Sequence, residues 1–233
     1  MTNWTPGDID FEILRSSVEQ SSSPPAIIAV CSAAAADGKS LTAFGLTATL
    51  MQAGHRALLL DANLAHPALT AVRETGLRYE MIGERVFSDP VTGVDVISFA
   101  SAGATGGRES MPSTKQLRVL LATLRNRYDF IVVDTERIPA SRTALQLAGL
   151  SDGVILVCRA GRMPTDDDQY MVRALDNAHT RILGVVTATA ASIKQFSTRI
   201  RLAPEPKRVI RESSVGNTSE GPLPHRVVKS ATT

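Results

Sequence analysis

Six short apolar runs recur along the chain, at residues 27–31, 57–60, 94–99, 130–133, 153–157 and 182–187. None shows the polar alternation of a half-solvated strand, and each has the length of a strand buried on both faces. Between them lie stretches of helical period. Residues 39–52 carry one, ending at Gly54 where a C-cap is expected, and residues 113–127 carry another. Pro67 begins a further helical stretch, and Pro164 opens one that has Asp166, Asp167 and Asp168 in its first turn, where carboxylates suit the helix dipole. Strands alternating with helices predict an α/β fold: a doubly wound, mostly parallel sheet with helices on both faces. Ahead of it, residues 9–20 form one short helical candidate before the break Ser21-Ser22-Ser23-Pro24-Pro25. The expected organisation is a helical arm at 1–24, an α/β domain at 25–200 and a disordered tail at 201–233, which is polar and proline-bearing.

The first strand runs into Ala33-Ala34-Ala35-Ala36-Asp37-Gly38-Lys39-Ser40, which fits the P-loop pattern with Ala in place of its first Gly. Its chemistry requires a strand, a loop whose amides curl around phosphate oxygens, and a helix whose N-terminus points at the same anion. Gly38 allows close backbone approach, Lys39 neutralises the β- and γ-phosphates, and Ser40 offers a hydroxyl to Mg²⁺. The loose pattern also arises by chance, but the flanking buried strand and amphipathic helix are the context it needs. The expected cofactors are ATP and Mg²⁺, with Asp37, Gly38, Lys39, Ser40 and Leu41 binding the nucleotide.

Two of the apolar runs end in a carboxylate, Asp61 and Asp134. In a doubly wound sheet the carboxyl ends of strands face the ligand crevice, where a carboxylate can hold Mg²⁺ directly or through water. A lone Asp in that place also serves as a turn former. Two of them beside a P-loop favour metal or water positioning, so the expected metal set is Ser40, Asp61 and Asp134.

Composition narrows the class. With 25 Lys and Arg against 23 Asp and Glu, the formal charge of +2 gives no argument for nucleic acid. No run approaches the ~20 apolar residues of a membrane span, and residues 1–10 lack the apolar core of a signal peptide. The chain is therefore expected to be cytoplasmic, reaching the inner face of a membrane only through a partner. Cys31 and Cys158 lie in apolar runs and are expected as reduced, buried strand thiols. His55, His179 and His225 have no His or Cys partners at zinc spacing. His66 could reach phosphates or simply precede the turn at Pro67. Asp166 to Asp168 diverge on a helix and fit a solvated first turn better than a metal cluster. Arg199, Arg201, Lys207, Arg208 and Arg211 form a mildly basic stretch, suited to acidic headgroups or to plain solvation. No nucleophile elbow suggests a hydrolase.

These segments together resemble the bacterial tyrosine kinases of polysaccharide synthesis, within the MinD/ParA-like P-loop group, over about residues 12–187. The matching marks are the P-loop, Leu58-Leu59-Leu60-Asp61-Ala62-Asn63-Leu64-Ala65-His66-Pro67 (similar to the A′ motif) and Tyr128-Asp129-Phe130-Ile131-Val132-Val133-Asp134-Thr135 (similar to Walker B). Asp152-Gly153-Val154-Ile155-Leu156-Val157 and Leu183-Gly184-Val185-Val186 match as well. The resemblance implies that Lys39 grips phosphates, that Ser40 and Asp134 organise Mg²⁺, and that Asp61 sits by the γ-phosphate and the acceptor hydroxyl, which makes Lys39 and Asp61 the expected catalytic pair. It also implies a membrane polysaccharide co-polymerase whose cytoplasmic tail activates the protein. Glu12 and Arg15 match part of the family's Glu-x-x-Arg-x-x-Arg ring-forming motif, with Val18 in place of the last Arg, so a homo-oligomer through the N-terminal helix is expected.

Three departures stand out. Asn63 and Ala65 occupy the places of a second Asp and an Arg, and Thr135-Glu136-Arg137 replaces Thr-Pro-Pro. The three tyrosines, Tyr79, Tyr128 and Tyr170, all precede the tail, which excludes tyrosine autophosphorylation there. The loop from Ser32 to Gly38 carries no lysine, unlike the partitioning ATPases of the group. Three readings stay open: a kinase or kinase-like regulator of exopolysaccharide synthesis, a positioning ATPase of the MinD/ParA type, and a non-catalytic nucleotide-binding scaffold.

Overall fold

A computed structural model describes residues 10–63, 77–81, 84–89, 92–98 and 113–201. The six apolar runs become strands: β1 (Ala26–Cys31), β2 (Ala57–Asp61), β5 (Asp95–Ser98), β6 (Phe130–Asp134), β7 (Gly153–Arg159) and β8 (Ile182–Ala188). Two further strands, β3 (Leu77–Met81) and β4 (Glu84–Ser88), complete a sheet of eight described strands ordered β3-β4-β5-β2-β6-β1-β7-β8. From β5 to β8 every pairing is parallel, while β4 pairs antiparallel with both β3 and β5. The sheet is therefore mostly parallel, as expected. The β3–β4 pair was not anticipated, because Leu77-Arg78-Tyr79-Glu80-Met81 and Glu84-Arg85-Val86-Phe87-Ser88 mix charged with apolar residues and give no buried-strand signal.

The described helices are α1 (Phe11–Ser21), α2 (Lys39–Gln52), α3 (Thr114–Arg125), α4 (Arg142–Gly149), α5 (Asp166–Asn177) and α6 (Ala190–Arg201). Side chains of successive strand residues leave on opposite faces, and the two faces carry separate cores. Ile27, Ala29, Leu58, Leu60, Ile131 and Val133 pack with α3, α4 and α5. Ala26, Ile28, Val30, Leu59, Phe130 and Val132 pack with α1, α2 and part of α6. Helices thus cover both faces of the central strands, whereas β8, expected as a buried strand, lies at the sheet edge and is largely exposed, with Ile182 and Val185 open.

Local signals explain most helix starts. Asp10 caps α1 by accepting from the amides of Glu12 and Ile13. Ser113 and Gln116 form a reciprocal capping box at α3, and Thr165 and Asp168 form one at α5. Helices α4 and α6 had not been expected: α4 is short, and α6 lies where the chain turns polar after Ser192. The helix sought from Pro67 and the tail at 202–233 lie outside the described residues, as do His66 and His225. Cys31 is buried as expected, but Cys158 is only half-buried, since it sits at the end of β7 where cover thins. Both thiols are free.

Helix α2 departs from the amphipathic pattern expected of it: ten of its fourteen residues are buried. The reason is α1, which covers the side of α2 turned away from the sheet. Phe11 lies over Gly45, where an added Cβ would meet the ring at 2.3 Å. The glycine is needed there for close approach. Gly45→Ala is expected to overpack this contact at a cost of about 1–3 kcal/mol, only partly offset by better helix propensity. Thermal melts should show a loss of roughly 2–4 °C per kcal/mol, and an unchanged melt would show that α1 does not dock as described.

Candidate nucleotide and metal site

Strands β1, β2 and β6 are adjacent and parallel, so their carboxyl ends converge at one edge. There the chain leaves β1 through Ser32, turns, and enters α2 at Lys39. Gly38 is the N-cap of α2 with φ 97°, a left-handed conformation that disfavours side chains. A Cβ at Gly38 would also lie 2.7 Å from the Ala188 Cβ, so only glycine fits beneath the end of β8. No side chain caps α2. Its N-terminus therefore keeps backbone donors of the kind that bind anions.

Lys39 is buried at 8% exposure, and its Nζ donates to Ser32 Oγ at 2.9 Å. Ser32 Oγ in turn donates to the carbonyl of Ala34 at 2.8 Å, which folds the loop back on itself. Ser40 Oγ donates to Asp134 Oδ2 at 2.5 Å. Asp61 and Asp134 are register partners on neighbouring strands, so both leave the sheet on the face that α2 covers. Asp61 Oδ1 accepts from the amide of Asn63 at 3.1 Å, a local turn that fixes the carboxylate at the strand end. Thr135 Oγ1 donates to the Val30 carbonyl at 2.8 Å and ties the end of β6 to β1.

The expected residues Lys39, Ser40, Asp61 and Asp134 thus come together. Leu41 does so only through its backbone, since its side chain is buried in the core with α2. The Asp37 carboxylate turns aside to Arg162, with Oδ1 3.3 Å from Nε and Oδ2 3.4 Å from Nη2. The Nε–Oδ1 pair is close enough for an ion pair but is not aligned as a hydrogen bond. Asp166 and Asp167 are exposed, as expected of a solvated turn, whereas Asp168 is not. It takes Arg162 in two bonds of 2.6 and 2.8 Å. Arg162 holds the Asp168 carboxyl well below the usual carboxylate range, helped by Thr165 and opposed by burial.

Ser32, Thr135 and Arg162 were not singled out from sequence. A buried lysine requires an acceptor, and Ser32 at the end of β1 was available for that inference. Nothing in sequence joins Arg162 to Asp37, which lie 125 positions apart.

The donor set suits a small hard cation. Asp134 is fully buried, and its Oδ1 has no hydrogen-bond partner among the described residues. An orphaned carboxylate oxygen next to a serine hydroxyl and a second carboxylate matches the oxygen ligands of Mg²⁺. Among the described residues no group of three or more His, Cys, Asp or Glu could hold a metal by itself. Such a site needs oxygens from water or phosphate to complete it, as Mg²⁺ in phosphoryl-transfer sites does. Cys31, whose thiol burial pushes up to about 12, offers no nucleophile. On α1, Arg15 bonds Glu12 at 2.9 Å and Glu19 at 2.7 Å, so the two residues matching the ring motif are engaged within the helix itself.

No protein-family model matches the chain. It is 23% identical over 184 residues to tyrosine-protein kinase CpsD of Streptococcus agalactiae, covering 76% of this chain and 79% of that one. It is 28% identical over 170 residues to succinoglycan biosynthesis transport protein ExoP of Rhizobium meliloti, covering 69% of this chain. That match spans 22% of ExoP, so the chain corresponds to a minor part of that protein. The kinase domain of Escherichia coli tyrosine kinase ETK superposes with a TM-score of 0.64 at 23% identity, over 77% of this chain and 74% of that one. MinD of Aquifex aeolicus does so at 0.52 and 16%, over 70% and 68%.

The fold is that of the P-loop NTPases. Within that fold the chain is similar in sequence to bacterial tyrosine kinases.

Burial raises the Asp134 carboxyl from 3.8 to about 6, against the opposing pull of Lys39 and the Ser40 hydroxyl. The folded chain thus holds this proton more tightly than the unfolded chain. That contribution to stability is complete below the ordinary value and is lost as pH rises through about 6. Asp134→Asn is accordingly expected to melt higher than the wild type at pH 7.5 without metal or nucleotide, with the gap closing towards pH 4.5. A gap independent of pH would show that Asp134 is not held in this way.

Proposed function

We propose that this protein binds Mg-ATP at the turn around Gly38, Lys39 and Ser40 and acts as a kinase-like regulator of exopolysaccharide or capsule synthesis. The observation that carries the reading is the Ser40–Asp134 hydrogen bond beneath a turn with an uncapped helix N-terminus, with Asp61 in register beside it. The kinship with tyrosine-protein kinases and with a succinoglycan biosynthesis transport protein supports the pathway.

In this reading the amides of Asp37 to Leu41 bind phosphate oxygens, and Lys39 leaves Ser32 to neutralise the β- and γ-phosphates. Ser40, Asp134 and Asp61 hold Mg²⁺, directly or through water. Held by these residues, Mg²⁺ would supply positive charge to offset the negative charge developing on the phosphoryl group. Asp61 accepts the proton of a protein hydroxyl as that oxygen takes the γ-phosphoryl, and ADP departs. The partner is a membrane co-polymerase whose cytoplasmic tail activates the protein. Among the described residues no helix is long and apolar enough to cross a membrane, so recruitment to the inner face would fall to that partner.

A second reading has its own support. Asn63 and Ala65 stand where the resembled kinases carry an Asp and an Arg. Loss of that charge favours a scaffold that binds nucleotide without transferring it. The MinD/ParA-type positioning role is weaker, since no lysine lies between Ser32 and Gly38.

Both surviving readings require nucleotide. Lys39→Ala is expected to weaken Mg-ATP binding by tenfold or more, about 1.4 kcal/mol per factor of ten. Phosphotransfer to a protein hydroxyl, stimulated by an adaptor tail and lost in Lys39→Ala and Asp61→Ala, supports the kinase. Binding without transfer supports the scaffold. No binding by the wild type at millimolar Mg-ATP, with or without the tail, overturns both.

A further inference from the structure

Asp37 places a carboxylate inside a turn built to receive anions. The residue is 1% exposed, precedes Gly38, and would set a negative charge beside any phosphate cupped by the α2 N-terminus. Its described charged partner is Arg162, at 3.3 and 3.4 Å. Arg162 follows β7 in a loop remote in sequence, and is itself 16% exposed.

What holds Arg162 in place is the start of α5. Asp168 binds Nη1 and Nη2 at 2.8 and 2.6 Å, and is locked by the Thr165 amide at 2.7 Å and the Thr165 hydroxyl at 2.8 Å. A guanidinium is a rigid planar fork. With one edge fixed by Asp168, the Nε–Nη2 edge is presented to Asp37. The capping box of α5 therefore sets the position of a cation 125 positions away from the residue it serves.

We propose that Arg162 is a positioning residue for nucleotide binding: it draws the Asp37 carboxylate towards α5 and neutralises it, so that the turn accepts polyphosphate. The proposal deepens the nucleotide reading above and rests on it. Arg162 acts through Asp37, so its loss is repaired by removing the Asp37 charge. A purely structural staple between the loop and α5 would not be repaired in that way.

The test titrates the full chain with Mg-ADP at low ionic strength, with circular dichroism confirming folding. Arg162→Gln, which removes the charge and keeps hydrogen-bonding capacity, is expected to weaken binding about tenfold, the order expected for one uncompensated charge near the phosphates. Arg162→Lys retains the cation and should recover most of that loss. Arg162→Gln combined with Asp37→Asn should return to within about twofold of the wild type, because no charge is left to neutralise. Wild-type affinity in Arg162→Gln, or a double variant no better than the single, overturns the proposal. Should Arg162→Gln fail to fold, Arg162→Lys and the double variant carry the same comparison: both near wild type sustains the proposal, and a folded double variant that binds no better than tenfold below wild type overturns it. A wild type that binds no Mg-ADP is a different result, and sinks the nucleotide reading itself.

Discussion

The organisation of this molecule depends on keeping charge buried at the carboxyl edge of a parallel sheet. Asp134 has no exposure, Asp61 has 1% and Lys39 has 8%. Isolated charges in such places are costly, and they persist when paired or completed by ligands. Here the carboxylates are register neighbours, which sets like charge beside like charge. Among the described residues the ammonium donates to a serine hydroxyl, a neutral partner. That arrangement is poor as a stabilising network and well suited to receiving an anion and a divalent cation together.

The rest of the fold serves this edge. Apolar β1, β2 and β6 run side by side, so that one end of each is brought to the same place. Covering both faces with helices excludes water from these three strands and leaves their ends as the polar surface where a ligand can lie. Helix α2 is gripped between sheet and α1, and this grip fixes where its N-terminus points. At the opposite ends of the strands, Arg125 joins Asp152 and the Pro25 carbonyl, and Arg56 joins Asp129. These exposed ion pairs contribute little stability by themselves. Their role is to fix how the strands enter the sheet.

A second charged group lies one step away, in Asp37, Arg162 and Asp168. It connects the turn at residues 33–40 to the helix after β7 through side chains alone. Through it the first turn of α5, which from sequence looked merely solvated, gains a bearing on the site. Asp166 and Asp167 do face solvent; Asp168, one residue on, does not.

The sequence by itself determined the parts of this protein governed by local pattern. Six apolar runs specified six strands, five of them because a strand buried on both faces leaves no polar positions to disguise it; β8 is apolar too, yet lies at the sheet edge with Ile182 and Val185 exposed. The turn at residues 33–40 announced its geometry, because only glycine tolerates the backbone at Gly38, and the lysine and serine follow it directly. Asp61 and Asp134 were legible for a similar reason: each closes a strand whose end must face the crevice. Tertiary structure decided what depends on partners distant in sequence. The β3–β4 pair gains its place by hydrogen bonding to β5, not by an apolar run of its own. Burial of nearly all of α2 follows from the docking of α1. The pairing of Arg162 with Asp37 has no local signature, since an arginine reads alike in a sequence whether it meets water or a carboxylate, and only the folded chain brings the two together.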